Sequence, residues 1–445
     1  MTLQADGTVA MLLADSQSGG EAWWQKIAEI GTPLAEAQPE SRRIKLTFFW
    51  RDPKGNETTS DIYRVYLDIN GVTDHHSYSP KSLERLAGSD IWMGSVILND
   101  DWRGSYSLIP IRQAQLPPAA EGTAEQQRQQ QREWWCSLFP LSLADPLNPL
   151  MPHGNSRGMR LSGIHLPAAL SQHVWHEVDT GTAGTYDAND FLSEWHSPRL
   201  ANSRRVWRWQ PAGSEGKALP LVIVLDGQNW VNNMSLLALL ETKTQQGIIP
   251  PAVWLMIDAI DDATRSRELP CHADFWLAVQ DELLPEIRRH TSFTDDPALT
   301  LVTGQSYGGL AALYAALYWP HRFGTVLTQS GSFWWPNMKF MTHYAGREEH
   351  EKGFLTKQVA LRPAAAPLLI FQEAGVFEED IHFVNQQMHQ ALIDAGHQVH
   401  HRSFQGGHDV LCWRGGLIDG VCWLLAERQA QGFDLSGNSP DFAGE

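Results

Sequence analysis

The sequence predicts an α/β domain built on a mostly parallel sheet, preceded by a smaller β-sandwich. Three observations carry this reading. Up to about residue 152, short β-rich runs are separated by turn clusters; beyond it, strand-like runs alternate with helix-length segments; and one apolar run passes through a glycine-serine-glycine turn into an alanine-rich helix. Alternation of strands and helices marks a parallel sheet covered on both faces. The 445 residues, 42% of them hydrophobic, suffice for large cores and favour two domains. Residues 1–152 are assigned to the N-terminal domain with its linker, and 153–445 to the α/β domain.

In the N-terminal part, an amphipathic segment with Trp23, Trp24, Ile27 and Ile30 precedes β-rich runs at 44–50, 62–69, 91–98 and 106–109. Between them stand Asp52-Pro53-Lys54-Gly55, Asn70-Gly71 and Asp100-Asp101-Trp102-Arg103-Gly104. These are turn formers because glycine permits positive φ and proline fixes its own. A glutamine-rich helical tract at 126–132 follows, and then Pro146 and Pro149, which oppose helix and sheet alike. The α/β part offers strands at 174–179, 205–210, 219–225, 253–257, 299–303, 325–329, 368–372 and 398–403. Helices are expected at 234–242, 273–290, 309–318 and 380–395.

Composition narrows the function. A net charge of -17 opposes binding to nucleic acid or to an anionic membrane, because phosphate recognition needs a basic surface. The first thirty residues lack a basic, apolar and small-residue succession, and no later segment reaches membrane-span length, so a cytoplasmic protein is expected. Cys136, Cys271, Cys412 and Cys422 lack CxxC spacing, so they are read as reduced and mostly buried, with no metal or other cofactor called for. The 19 tryptophans serve either a core or a face for flat aromatic ligands.

The strongest local signal is Leu301-Val302-Thr303-Gly304-Gln305-Ser306-Tyr307-Gly308-Gly309, where a strand enters G-x-S-x-G and a helix follows. This is the strand-turn-helix context of a nucleophile elbow in an α/β-hydrolase fold with an eight-stranded, mostly parallel sheet. Ser306 is the expected nucleophile. A serine hydroxyl needs a base, and the chain order nucleophile, acid, histidine places it after the last strand, at His408 in Gly406-Gly407-His408-Asp409. Asp409 is read as structural. The acid belongs after the penultimate strand, where Glu373, Glu378, Glu379 and Asp380 crowd one loop; Glu378 is preferred, Glu379 and Asp380 are alternatives, and a Ser-His dyad stays open. The oxyanion donors are expected to be the backbone N–H of Tyr307 and, from the Leu225-Asp226-Gly227-Gln228 turn, that of Gln228.

Taken together, Val224-Leu225-Asp226-Gly227-Gln228-Asn229-Trp230, Arg265-Ser266-Arg267-Glu268-Leu269-Pro270-Cys271, the elbow, and Gly406-Gly407-His408-Asp409 with Cys412-Trp413-Arg414-Gly415-Gly416-Leu417 resemble the ferric enterobactin (enterochelin) esterase family of esterase D-like α/β hydrolases. Phe48-Phe49-Trp50-Arg51-Asp52-Pro53 is similar to that family's immunoglobulin-like N-terminal domain. The resemblance implies cytoplasmic hydrolysis of the trilactone of a catecholate siderophore, ferric enterobactin, to release iron. It carries over onto Ser306 and His408, and its acid position resembles Glu378. An anionic ligand with flat rings calls for guanidinium groups and aromatic walls. Arg204, Arg205, Arg265, Arg267 and Arg414, with Trp207, Trp230, Trp334, Trp335 and Trp413, form the candidate set, Arg265 and Arg267 foremost. The expected assembly is a monomer or weak homo-oligomer. The competing readings are a carbohydrate or feruloyl esterase, and a non-catalytic siderophore-binding protein on a hydrolase scaffold.

Overall fold

The computed structural model describes residues 2–39, 41–73, 77–337, 351–361 and 366–438. The chain forms two compact units, Met1–Thr182 with Gln405–Cys412, and Ala183–Phe404 with Trp413–Glu445.

The first unit is built on nine strands: β1 (Leu3–Gln4), β2 (Leu34–Ala37), β3 (Arg43–Arg51), β4 (Ile62–Ile69), β5 (Ser82–Arg85), β6 (Ile91–Asn99), β7 (Arg103–Arg112), β8 (His153–Gly154) and β9 (Arg160–His165). Their order is β1-β2-β3-β6-β5-β4-β7-β9-β8, and apart from β1 with β2 the pairings are antiparallel. The short β5 pairs with both β6 and β4, so the sheet folds over on itself there. The edge-to-face contact of Phe48 on β3 with Tyr106 on β7, ring centroids 5.0 Å apart, lies inside that fold. Two helices cover outer faces. Glu21–Ile30 buries Trp23, Trp24 and Ile27 against Phe49 and Ile91, and Ala124–Ser137 buries Trp134 and Trp135 against Tyr66, Ile109 and Ile111. The division at Thr182 follows from β9, which pairs with β7 and keeps residues after 152 in this unit.

The second unit holds β10 (Leu192–Ser197), β11 (Asn202–Trp209), β12 (Leu221–Val224), β13 (Val253–Ile257), β14 (Thr300–Gln305), β15 (Thr325–Gln329), β16 (Leu369–Gly375) and β17 (Gln398–Phe404). The order is β10-β11-β13-β12-β14-β15-β16-β17; β10 and β11 run antiparallel to their neighbours and the rest are parallel. This is the expected eight-stranded α/β-hydrolase sheet. Its strands β12 to β15 are buried throughout, because helices lie on both faces. Leu221, Ile223, Val302, Val326 and Ile370 share one core with Phe275, Trp276 and the Tyr307–Tyr318 helix.

One expected strand is not one. Residues 174–179 form a 3₁₀ turn and a short helix, and the eighth strand is instead β10, a hydrophilic edge strand. The expected helix at 273–290 is broken into Ala273–Ala278, a π-helical turn Val279–Leu283 and Leu284–Arg288, ahead of and around Pro285, whose ring cannot donate to the helical ladder. The cysteines are all free, but only Cys412 is fully buried and Cys136 is exposed, against the expectation that most would be buried. Most of the tryptophans are core residues, and Trp102, Trp175, Trp195, Trp207, Trp209, Trp230, Trp254 and Trp276 are among the largest fully buried side chains.

Candidate active site

In the second unit, β14 ends at Gln305 and the Tyr307–Tyr318 helix begins two residues later. Ser306 takes the turn alone, at φ 57° and ψ -118°, a conformation that L-residues adopt only under constraint. The constraint is visible around it. Its N–H donates to the Gln329 carbonyl at 3.0 Å, and its own carbonyl accepts from the Ser332 and Leu310 N–H groups at 3.0 and 3.1 Å. A β-carbon on Gly304 would stand 2.4 Å from the Gly308 backbone, so strand and helix meet this closely only because that residue has no side chain. The Ser306 hydroxyl is partly exposed and stands 3.2 Å from that of Ser332.

Beside the elbow, β12 leads into the Gly227–Asn232 helix through Asp226, at φ 55°. A β-carbon on Gly227 would lie 2.5 Å from the Met256 carbonyl carbon, so this turn also depends on glycine. Gln228 and Tyr307 each occupy the first turn of their helix, where N–H groups have no carbonyl four residues back to bond. The side chain of Gln228 is occupied, its Oε1 accepting from the Ala259 N–H at 3.1 Å.

Glu378 lies in a 3₁₀ turn directly after β16. Its Oε1 accepts from the Ser330 hydroxyl at 2.6 Å and the Gly375 N–H at 3.3 Å. Ser330 in turn accepts from the Trp413 indole at 2.8 Å. Glu379 is exposed at φ 38°, and Asp380 starts the following helix. Glu373 is fully buried and held by Arg402 at 2.7 Å and by Gln329; burial raises its pKa even against that cation, so it is a structural acid. Through Gln329 it joins a buried chain at the carboxyl ends of the strands: Trp230 donates to Gln305 at 3.2 Å and Gln305 to Gln329 at 2.8 Å.

His408 is exposed on the loop 405–409, part of the segment Gln405–Cys412 that groups with the first unit. Its carbonyl accepts from the Asn70 side chain at 3.1 Å, and a β-carbon on Gly407 would lie 2.3 Å from Asn70 Oδ1. Asp409, read from sequence as structural, is buried: it accepts from the backbone N–H of Ser105 and, at 2.8 Å, from its hydroxyl, and Oδ1 also takes the Leu411 N–H at 3.0 Å.

The candidate ligand contacts separate by burial. Arg204 is 4% exposed, ion-paired with Glu268 and lying over the Trp195 and Phe275 rings. That packing makes it a buried, paired cation. Trp207, Trp230 and Trp334 are buried too, Trp334 against the Tyr307 ring, and Arg414 is only 2% exposed. Arg265 is committed to Asp226 by two hydrogen bonds of 2.7 Å. Arg205 is exposed beside Asp258 and over Trp207, Arg267 is exposed beside Glu268, and Trp335 and Trp413 are partly exposed. Among the described residues no group of three or more His, Cys, Asp and Glu side chains is arranged to hold a metal ion.

Comparison with known proteins decides the family. Residues 45–175 match the family model "Enterochelin esterase, N-terminal" and residues 197–424 the model "Putative esterase". An iron(III) enterobactin esterase of Dickeya dadantii is 59% identical over 95% of this chain and 97% of its own, and that of Escherichia coli K12 is 41% identical over 91% and 96%. The chain belongs to the iron(III) enterobactin esterase family. The crystal structure of the ferric enterobactin esterase of Salmonella typhimurium superposes with a TM-score of 0.80 at 42% identity, covering 92% of this chain and 99% of that one. The Shigella flexneri enterobactin esterase, crystallised in the presence of enterobactin, gives 0.76 at 39% identity, with the same coverage. What sequence reading of this esterase missed are the partners: Ser330 beside Glu378, Ser332 beside Ser306, and Asn70 beside His408. The polar, glycine-containing run Gln329-Ser330-Gly331-Ser332 at the carboxyl end of a buried strand was the available signal.

Proposed function

We propose that this esterase hydrolyses the lactone esters of iron(III) enterobactin, with Ser306 as nucleophile, His408 as general base and Glu378 as the acid that orients the histidine. The observation that supports it most is the partly exposed Ser306 held at positive φ between β14 and its helix. Ser306 Oγ attacks the lactone carbonyl while its proton passes to His408. The developing oxyanion is met by the N–H groups of Tyr307 and Gln228, preorganised donors whose individual loss in such sites costs about 10²- to 10³-fold in rate. Collapse breaks the ester bond; the departing serine alkoxide of the substrate takes the proton from His408, and the acyl-enzyme is released by water through the same steps in reverse. Repetition yields dihydroxybenzoyl-serine units.

For the flat, anionic catecholates, the accessible part of the candidate set is Arg267 and Arg205, with Trp335 and Trp413 as aromatic surface. We place the reaction in the cytoplasm, where released iron is used; none of the described helices is long and apolar enough to cross a membrane. We take the enzyme to work as a monomer or weak homo-oligomer.

The test is product analysis with ferric and iron-free cyclic siderophore. Wild type should release dihydroxybenzoyl-serine and its linear oligomers, and Ser306→Ala should bind the ferric ligand unchanged while turnover falls at least 10³-fold, roughly the loss expected for a missing nucleophile. A Ser306→Ala protein within tenfold of wild type would exclude this nucleophile, and a wild type that binds without cleaving would favour a binding protein.

A further inference from the structure

Arg265 touches both turns that carry the proposed oxyanion donors. It sits in the short helix Asp262–Glu268, whose first turn is capped by Asp261 accepting from the Thr264 N–H at 2.7 Å. From there its Nε and one terminal nitrogen grip the two carboxylate oxygens of Asp226, each at 2.7 Å. The same terminal nitrogen donates to the Gln305 carbonyl at 3.3 Å, and the guanidinium lies 5.7 Å from the centre of the Tyr307 ring. Asp226 is the positive-φ residue two before Gln228, and Gln305 and Tyr307 flank Ser306. A bidentate guanidinium–carboxylate pair fixes direction as well as distance.

The pair also settles a charge. The Asp226 carboxylate reaches to 3.4 Å from where a β-carbon on Gly308 would stand, beneath the first turn of the nucleophile helix. Left without its cation, this buried anion would oppose the negative charge that forms on the substrate carbonyl oxygen.

We infer that Arg265 is a positioning residue for ester hydrolysis: through Asp226 and Gln305 it sets the Gln228 and Tyr307 N–H groups for the oxyanion and cancels the carboxylate below them. This rests on the hydrolase reading of Ser306. It replaces the expectation that Arg265 grips the catecholates, and the two roles differ in what they predict for a substrate with no catecholate.

The experiment compares wild type, Arg265→Met, Arg265→Lys and Arg265→Met with Asp226→Asn, after melting curves show which are folded. Three readouts are taken: kcat and KM on ferric enterobactin, kcat and KM on p-nitrophenyl butyrate, and the rate and end point of labelling by a fluorophosphonate. Arg265→Met should lower kcat on both esters by the same factor, roughly 10- to 100-fold, as for donors displaced by about an ångström. KM should stay within threefold on both, and labelling should slow by a similar factor yet still reach one label per chain. Lysine should recover part of the loss by restoring charge without the fork, and Asp226→Asn should recover part by removing the stranded anion. A loss confined to ferric enterobactin and seen in KM would overturn the proposal in favour of ligand contact. A fall in label end point matching the fall in kcat would overturn it in favour of a purely structural role. Should Arg265→Met not fold, the lysine variant alone decides, since kcat and labelling rate equal to wild type would overturn the proposal. A wild type that neither labels nor cleaves p-nitrophenyl butyrate would instead remove the Ser306 reading on which this stands.

Discussion

Glu378 is fixed through one oxygen by Ser330 and Gly375, and Ser330 is fixed by Trp413, so its carboxylate is held in one orientation. Its neighbours are differently placed: Glu379 is exposed, and Glu373 is buried against Arg402 and Gln329. If Glu378 orients the base, Glu378→Gln should lower kcat by roughly 10²-fold, less than His408→Ala, because a misoriented imidazole still accepts protons whereas an absent one does not. Glu379→Gln should stay within threefold. Steady-state kinetics of the three variants check this, and a larger loss at Glu379 than at Glu378 would move the acid. At this scale, the Ser306 turn was legible because its motif is local, whereas the burial of Arg204 between the Trp195 and Phe275 rings depends on tertiary packing that leaves no local pattern.

The last helix, Val410–Ala430, shows how an element is fitted to the site beneath it. A β-carbon on Gly416 would fall 1.8 Å from Glu373 Oε1, and one on Gly420 2.4 Å from Leu327 Cδ1. In an exposed helix, Gly→Ala gains up to about 1 kcal/mol. At Gly416 the sign should reverse, since the methyl must displace a buried carboxylate from its Arg402 and Gln329 partners, and disrupting such a charged hydrogen bond costs about 1.5–3 kcal/mol. Gly416→Ala should therefore lower stability in urea denaturation, and a variant as stable as wild type would refute this fit. Legibility among the elements followed burial: β13 and β15 match their expected ranges residue for residue, because a strand buried on both faces reads as a continuous apolar run. β10 escaped notice because Leu192-Ser193-Glu194-Trp195-His196-Ser197 is an edge with mostly polar residues, and 174–179 misled because Val174 and Val178 also fit helical spacing.

Across the whole molecule, the architecture was readable and its acid-base balance was not, since the latter depends on which histidines the fold buries. His389, His397, His400 and His401 all have pKa values lowered by burial, His401 from 6.5 to about 4. The His401 ring lies 4.6 Å from that of His389, and neither His401 Nε2 nor His389 Nδ1 has a hydrogen-bond partner. His382 and His400 further disfavour its charge; His400 itself stands beside Phe371 and Trp423, with Arg402 lowering and Glu427 raising its pKa. A histidine whose folded pKa is depressed binds fewer protons in the folded state than in the unfolded one, so stability is full above pH 6.5 and lost as pH falls toward 4. Other effects act the other way. Falling pH relieves the repulsion of a chain with net charge -17, and it protonates Asp68, Asp145 and Glu373, whose pKa values, raised by burial, make the folded state the better proton acceptor there. The total curve therefore mixes opposing contributions, and the contribution of one histidine is isolated by difference. Replacing His401 with Gln should flatten the dependence of unfolding free energy on pH between 6.5 and 4 by up to about one proton, whatever it does to stability at neutral pH. Parallel slopes for wild type and His401→Gln in urea titrations across that window would show that His401 titrates alike in folded and unfolded chains.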